Sequence, residues 1–195
     1  MKLQILSIKL REEIFDALVA KLGSREPLIR GSRRAAVSVI LSRKVAPRVL
    51  LIKRSEREGD PWSGQVAFPG GKFQEGDASL RATAVREARE EVGFDLDVSS
   101  EFLGYFGTFR THTGDMEVVP SVFLLKGEVS VRVNGEATSY MWVPLEDMLS
   151  DEAKSDCEVQ VGGAPRVVPA FRVGEYVIWG LTHRIILSLI GGNSA

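Results

Sequence analysis

Apolar and polar positions along the chain follow two different rhythms, and each rhythm predicts one kind of element. Between residues 8 and 22, apolar side chains recur every three or four positions, which predicts an amphipathic helix that ends at Gly23. The segments AAVSVILS and RVLLIKR are short apolar runs, so they predict two strands joined by a turn near Pro47. The chain therefore begins with a helix, a polar link and a hairpin.

A second helix is predicted from Ala78 to Val92, with Asp77 as its N-cap. Its apolar positions share one side, at the spacing that buries a helical stripe, and they are Ala84, Val85, Ala88 and Val92. Two further strands are predicted at residues 101–109 and 118–125, separated by the polar link RTHTGD. The second helix thus lies between two groups of strands.

The last third of the chain predicts a strand that enters a short helix after Pro144, then an irregular arm with short strands over residues 151–173. Residues 175–190 predict a strand that passes into a C-terminal helix. Strands on both sides of the second helix, with another helix at the C-terminus, predict an α/β sandwich in which a mixed sheet lies between helices.

Composition favours one globular domain over residues 1–195, in which residues 1–30 form the N-terminal helix and link. The 195 residues are 44% apolar and 26% charged, which suits a single substantial core. The 25 basic and 26 acidic residues nearly cancel, so the charge gives no reason to expect a nucleic-acid or anionic-membrane partner. No apolar run reaches the length that spans a bilayer, and charges interrupt the N-terminus too early for a signal sequence.

Cys157 is the single cysteine, so it forms no intrachain disulfide and a reducing compartment fits the chain. These features together predict a cytoplasmic protein. The apolar N-terminal helix is interpreted as packing for the domain, with a symmetric homodimer as the alternative.

The candidate chemistry is concentrated on one flank of the second helix, where three glutamates gather. Glu87 and Glu91 are i,i+4 neighbours beside the apolar stripe, and Glu90 lies within about 60° of arc beyond Glu87. Like charges at this spacing repel, so the pattern favours a bound divalent cation, Mg²⁺ or Mn²⁺, which takes one or two carboxylates as ligands. Arg86 stands one turn before Glu90 and is placed to pair with it. A solvated acidic helix face is the alternative interpretation.

A glycine turn, FPGG, precedes this helix and allows the backbone to approach a ligand closely. Together with REAREEVGF, the turn resembles the Nudix box, which would occupy residues 68–94. The matching positions are Gly71, Arg86, Glu87, Glu90, Glu91, Gly93 and Phe94. Asp77 stands where the box has a glutamate, and one extra residue separates it from Arg86.

The resemblance implies a hydrolase with the Nudix-type α/β/α sandwich that splits a diphosphate linkage in a nucleoside diphosphate derivative. It implies Glu87 and Glu91 as metal ligands and Glu90 as a further ligand or the base. The carbonyl of Gly71 is expected near the metal, and Arg86 is expected to orient the carboxylates. Which carboxylate is the base stays open, because that choice depends on pKa and placement.

The segment LLIKRSEREGDPWSGQVAFPGG resembles the signature that precedes the box in coenzyme A pyrophosphatases, and IWGLTHRII resembles the closing segment of that branch. The resemblance implies coenzyme A or its thioesters as substrate, cleaved to 3′,5′-ADP and 4′-phosphopantetheine. Three departures from the signature stand out: Ile52 replaces a threonine, the spacing from Arg54 to Gly64 is one residue longer, and the second arginine is missing. ADP-ribose, dinucleotides and oxidised nucleoside triphosphates stay open as substrates, and so does a non-catalytic nucleotide- or RNA-binding module.

Several further residues are candidates for contacts with substrate or metal. Arg54 can bind a phosphate bidentately, Trp62 can stack on a base, and Gly70 lies where the backbone can approach a ligand. Accessory roles as ligand or base are assigned to Glu117, Glu136 and Asp77, the last of which is mainly a helix cap. For each of these side chains, ordinary packing or solvent exposure is the alternative.

Overall fold

The computed structural model describes residues 2–29, 31, 33–43, 46–59, 62–112, 114–161 and 164–191. The helices in these ranges are α1 (Lys2–Val19), α2 (Leu80–Val92), α3 (Leu96–Ser99) and α4 (Gly180–Ile190). The strands are β1 (Arg34–Ser42), β2 (Arg48–Arg54), β3 (Val66–Ala67), β4 (Gly70–Lys72), β5 (Ser100–Tyr105), β6 (Phe109–Arg110), β7 (Glu117–Leu125), β8 (Ala137–Pro144), β9 (Lys154–Val161), β10 (Ala164–Val173) and β11 (Tyr176–Trp179).

The centre of the fold is a mixed sheet built on β1 and β7. These two strands run parallel, in register from Arg34 beside Glu117 to Leu41 beside Leu124. The strand order is β3-β2-β1-β7-β5, with β4 paired to β1, β6 to β7 and β8 to β2, and all pairings other than β1–β7 are antiparallel. A parallel pair requires a long crossover connection, and the segment from β2 to β6, which includes α2, supplies it.

Each face of this sheet buries its own apolar cluster, because successive side chains of a strand point to opposite sides. In β1, Val39 and Leu41 pack toward α1, α4 and β10, whereas Ala36 and Ile40 pack toward α2 and α3. Helices therefore cover both faces of a mixed sheet, which confirms the predicted α/β/α sandwich. The apolar stripe of α2 is buried against the second cluster, as its periodicity predicts.

Residues 151–173, predicted as an irregular arm, instead form most of a second sheet with the order β11-β10-β9. The hairpin strands β9 and β10 are 8 and 10 residues long and pair along their whole length. Pro165 and Pro169 made β10 look irregular, but both come before the residues of β10 that pair with β11, and among the described strands they pair with β9 alone. Two smaller predictions were also wrong: the strand 101–109 is split into β5 and β6, and turns replace the helix after Pro144.

The N-terminal segment is tied to the rest of the domain. Helix α1 ends at Val19, three residues before the predicted end, and contributes buried Leu18 to the core. The Lys21 ammonium then donates hydrogen bonds to carbonyls of the last turn of α4, and Gly23 exchanges both backbone hydrogen bonds with Tyr105 at 2.9 and 2.8 Å. In the ranges that the structure covers, no helix is long and apolar enough to cross a membrane.

Candidate active site

Helix α2 begins at Leu80, and its N-cap is Ser79 rather than Asp77 as predicted. The Ser79 hydroxyl accepts a hydrogen bond from Ala82 N at 3.0 Å. A second cap comes from outside the helix, because the Glu26 carboxylate accepts from Leu80 N at 2.9 Å and from the Tyr105 hydroxyl at 3.1 Å. Both contacts satisfy amide groups that a helix leaves without intrahelical partners.

The carboxylate of Asp77 does not cap the helix as predicted; it binds the guanidinium of Arg86 instead. Its two oxygens accept hydrogen bonds from Arg86 Nε and Nη2, both at 3.0 Å, and one also accepts from Thr83 Oγ1 at 2.9 Å. Arg86 lowers the pKa of Asp77 to about 2, mainly through this hydrogen-bonded pair. The guanidinium of Arg86 is therefore fixed at the base of the acidic flank.

From that position, Arg86 reaches two of the predicted carboxylates. Its Nη1 lies 2.8 Å from Glu87 Oε1 and 3.4 Å from Glu90 Oε2. The pairing with Glu90 was predicted, and the closer contact with Glu87 was not. Glu90 itself is mostly exposed at the edge of the helix. Arg86 thus positions Glu87 while Glu90 faces solvent.

Glu91 is the buried member of the acidic flank, with only 1% of its surface exposed. Its Oε2 accepts a hydrogen bond from Gly70 N at 2.7 Å, and its Oε1 lies 3.8 Å from Arg54 Nη1. Burial raises the pKa of Glu91 to about 7, because the hydrogen bond from Gly70 and the nearby guanidinium compensate for only part of the lost hydration. Arg54 and Gly70, both predicted as substrate contacts, therefore lie directly against this carboxylate.

The two glycines of the turn have different structural requirements. A Cβ on Gly71 would overlap both carboxylate oxygens of Glu87, so this side chain occupies the space above the glycine. A Cβ on Gly70 would come within 2.5 Å of the Ala36 carbonyl oxygen, because β4 is packed against β1 there. Gly71 therefore makes room for a carboxylate, whereas Gly70 makes room for the backbone of the sheet.

Burial also raises the pKa of Glu87.

A loop distant in sequence completes the acidic flank. Asn134 N donates to the backbone carbonyl of Glu91 at 3.3 Å, and the carbonyl of Glu136 accepts from Ser55 N at 2.9 Å. The negative charge of Glu136 contributes to the raised pKa of both Glu87 and Glu91, so its carboxylate lies within electrostatic range of both. Of the two accessory acids outside the box, the structure brings Glu136 to the flank.

Glu117 and Trp62 have other surroundings. The Glu117 carboxylate accepts hydrogen bonds from Gly31 N at 3.0 Å and from Arg110 at 3.3 Å, so its neighbours belong to the link before β1 and to β6. Trp62 lies in the turn before β3 with an exposed side chain. Their predicted roles as accessory ligand and base-stacking residue stay predictions.

Arg57 lies 3.7 Å from the carboxylate of Glu136. From the sequence it is a surface arginine that could bind a phosphate, with Arg54 as the better candidate, and its contact with Glu136 was not predicted. Sequence reasoning missed Glu26, whose role as a cap depends on contacts with residues more than fifty positions away. Neither the spacing nor the composition of the link around Glu26 indicates such contacts.

The residues of the flank fit a divalent cation as part of a shared site. Across the described ranges, no three carboxylate, histidine or cysteine side chains converge closely enough to hold an ion by themselves. Mg²⁺, however, needs only one or two carboxylates when water and phosphate oxygens fill its other positions. Glu87 and Glu91 are the carboxylates of the flank that suit this coordination, and burial is the main cause of their raised pKa values, to which the negative charge of Glu136 also contributes.

Comparison with known proteins adds independent information. The family model described as NUDIX domain matches residues 32–159. An uncharacterized Nudix hydrolase, NudL, of Enterobacter sp. (strain 638) is 35% identical over 177 residues, which cover 90% of this chain and 88% of that protein.

Two solved structures are similar in fold. The Ap4A hydrolase of C. elegans, crystallised as a binary complex, matches 59% of this chain and 83% of its own, with a TM-score of 0.50 and 20% identity. DR0079 from Deinococcus radiodurans matches 84% of this chain and 87% of its own, with a TM-score of 0.53 and 16% identity. At these identities the likeness concerns the fold alone.

Proposed function

The chain belongs to the Nudix hydrolase family, whose members are pyrophosphohydrolases of nucleoside diphosphate derivatives, and we propose that its substrate is coenzyme A or a coenzyme A thioester. Hydrolysis of the diphosphate would give 3′,5′-ADP and 4′-phosphopantetheine or its acylated form. One observation carries the proposal. Arg54, from the segment that resembles the coenzyme A pyrophosphatase signature, lies 3.8 Å from Glu91 of the box helix. Residues of the two motifs thus share one site.

Each residue of the flank has a role in this proposal. Glu87 and Glu91 hold the divalent cation, Mg²⁺ or Mn²⁺, with Glu90 as a further ligand and the Gly71 carbonyl nearby. When bound, the cation neutralises diphosphate oxygens and so makes phosphorus accessible to a nucleophile. Arg86 orients Glu87 through the 2.8 Å contact, because Asp77 holds its guanidinium from the other side.

The chain's own residues also bind the substrate and accept a proton. Arg54 binds a phosphate oxygen with charge-assisted hydrogen bonds. A water oxygen attacks one phosphorus as the bridging P–O bond breaks, and the proton of the water passes to a carboxylate Oε. Glu90 and Glu136 are the exposed carboxylates of the site, so either is accessible to that water. Trp62 and Gly70 remain proposed substrate contacts, and we propose one of these two glutamates as the base.

The experiment is a product analysis with the full chain. Coenzyme A, acetyl-coenzyme A, ADP-ribose, Ap4A and an oxidised nucleoside triphosphate are each incubated with the protein and Mg²⁺, and the products are separated by chromatography. We expect 3′,5′-ADP from the two coenzyme A compounds at a kcat/KM at least tenfold above that for the others. The Glu91→Gln variant serves as the inactive control.

Other outcomes assign a different function. Faster cleavage of ADP-ribose, a dinucleotide or the nucleoside triphosphate would replace coenzyme A as substrate and leave the hydrolase proposal intact. If equilibrium dialysis detected binding of a nucleotide or an RNA while no compound was cleaved, the chain would be a non-catalytic module.

A further inference from the structure

An ion pair stands beside the acidic flank, and its arginine has no role in the proposed mechanism. Arg57 Nη1 lies 3.7 Å from Glu136 Oε1, and Arg57 Nη2 donates to the Gly135 carbonyl at 3.2 Å. The Ser55 hydroxyl donates to the same carbonyl at 3.0 Å. The end of β2 and the start of β8 are therefore joined by a charged pair and by hydrogen bonds around it.

The neighbours of this pair place it at the proposed metal site. Arg54 and Ala137 are paired in the sheet, so the residues just beyond them face each other across the gap between β2 and β8. Asn134 connects the same loop to the backbone of Glu91, and its side chain accepts from Glu136 N at 2.8 Å. Glu136 is thus fixed at its backbone, while its carboxylate extends toward Arg57.

Of the three arginines in the site, Arg57 can change partner most readily. Its side chain is 51% exposed, against 22% for Arg54 and 23% for Arg86. Arg86 has three carboxylate partners, and Arg54 faces the buried Glu91. An exposed ion pair contributes at most about 1 kcal/mol, whereas a bidentate contact between arginine and phosphate is considerably stronger.

We propose that Arg57 is an exchangeable counter-ion of the site. In the absence of substrate its guanidinium neutralises Glu136. When the diphosphate binds, the guanidinium moves to a phosphate oxygen and leaves the Glu136 carboxylate available to the divalent cation. This inference rests on the proposed function, because it assumes a diphosphate and a cation at the acidic flank.

The exchange predicts that removal of Arg57 affects two binding constants in opposite directions. In Arg57→Gln, the Glu136 carboxylate loses the positive charge of Arg57, so Mn²⁺ should bind the substrate-free protein about threefold more tightly. The same variant lacks a phosphate ligand, so a non-hydrolysable diphosphate, α,β-methylene-ADP, should bind at least tenfold more weakly in the presence of Mg²⁺. Isothermal titration calorimetry measures both constants without turnover.

Two further variants separate exchange from a structural role. Arg57→Lys keeps the charge but not the fork of donors, so it should restore wild-type Mn²⁺ affinity while leaving the diphosphate weakly bound. Arg11→Gln is the matched control, since it also removes one arginine ion pair, that with Glu146. Glu146 lies two residues after Pro144, which pairs with Arg48 at the start of β2. Arg48 and Arg54 are at opposite ends of this strand, about 20 Å apart by the rise per residue. We expect no change in either constant there.

The outcomes are distinct. Unchanged constants in Arg57→Gln, or a loss of affinity for both ligands, would overturn the exchange, while cleavage of coenzyme A by the wild type would still support the proposed function. If the wild type bound neither Mn²⁺ nor the diphosphate and cleaved no compound, the proposed function would fail and the exchange with it.

Discussion

Replacement of Glu91 by glutamine is expected to abolish most turnover and, at the same time, to stabilise the metal-free protein above pH 7. The carboxylate is 1% exposed, and its pKa rises from 4.5 to about 7 because burial disfavours the charged form. Each pKa unit is worth about 1.4 kcal/mol. The ionised carboxylate therefore destabilises the folded protein by about 3 kcal/mol relative to the unfolded chain.

Glutamine retains most of the local contacts without the charge. Its amide oxygen can still accept the hydrogen bond from Gly70 N, now 2.7 Å from Glu91 Oε2, but the attraction of Arg54 at 3.8 Å is lost. We therefore expect Glu91→Gln to raise the free energy of unfolding at pH 8 by about 1–3 kcal/mol. The folded-state pKa of Glu91 lies above the unfolded value, so this residue does not destabilise the folded protein below pH 4.5. Its destabilising effect develops as the pH rises from 4.5 through 7, and the difference between the wild type and the variant should vanish near pH 4.5.

The assay is urea denaturation followed by tryptophan fluorescence, in EDTA, at several pH values from 4.5 to 8. Glu90→Gln is the matched control for stability, because it removes an exposed carboxylate from the same helix and leaves the buried Glu91 in place. Turnover of Glu91→Gln with Mg²⁺ should fall on the order of 100-fold or more. Parallel stability curves for the wild type and Glu91→Gln, or turnover within tenfold of the wild type, would refute the reasoning.

Four further variants can be tested by turnover and urea denaturation, and the last of them also by amide hydrogen exchange. Gly71→Ala should displace the Glu87 carboxylate and lower turnover roughly 10- to 100-fold with nearly unchanged stability, whereas Gly70→Ala should destabilise by about 2 kcal/mol or more, since its Cβ meets sheet backbone. Asp77→Asn should destabilise by about 1–2 kcal/mol at pH 7, and the difference should shrink as the pH falls from 3.8 toward 2, because the folded-state pKa is lowered to about 2. Glu26→Ala should cost about 1 kcal/mol and raise amide exchange in the first turn of α2.

Periodicity correctly predicted the helices and strands whose apolar side chains pack against a single core. The apolar stripe of α2 and the apolar runs of β1 and β2 each face a single core, so their type and burial agree with the pattern. The start of α2 was predicted two residues early because Asp77 and Ser79 are both good caps. The hydrogen bond between Asp77 and Arg86 leaves Ser79 as the cap, and this contact cannot be inferred from the spacing of residues along the helix.

The hairpin of β9 and β10 was missed for a different reason. Its strands alternate polar and apolar residues only weakly, and Pro165 and Pro169 interrupt the run that β10 presents. Backbone pairing with β9 decides the conformation, and the sequence gives no direct sign of pairing between strands. A cytoplasmic location and a homodimer through α1 stay predictions, as do the roles of the individual site residues.

Helix α2 illustrates why one part of the site could be predicted from the sequence and another part could not. Glu87, Glu90 and Glu91 lie within little more than one turn of the same helix, so their proximity follows from helix geometry alone. The approach of Arg54 and Glu136 depends on the register of β2 and β8, where Arg54 pairs with Ala137 across a register shift. A shift of one residue in this pairing would turn these side chains to the other face of the sheet.

The charge balance of the site relates the proposed divalent cation to the proposed movement of Arg57. The contacts described above join five carboxylates and three guanidiniums, which are Asp77, Glu87, Glu90, Glu91 and Glu136, and Arg54, Arg57 and Arg86. When all eight groups are ionised they carry an excess of two negative charges, which one divalent cation would neutralise. In the proposed function a bound diphosphate adds further negative charge, so a guanidinium that can move to the substrate would favour binding. Arg57, the most exposed of the three, could make this movement without uncovering the buried Glu91.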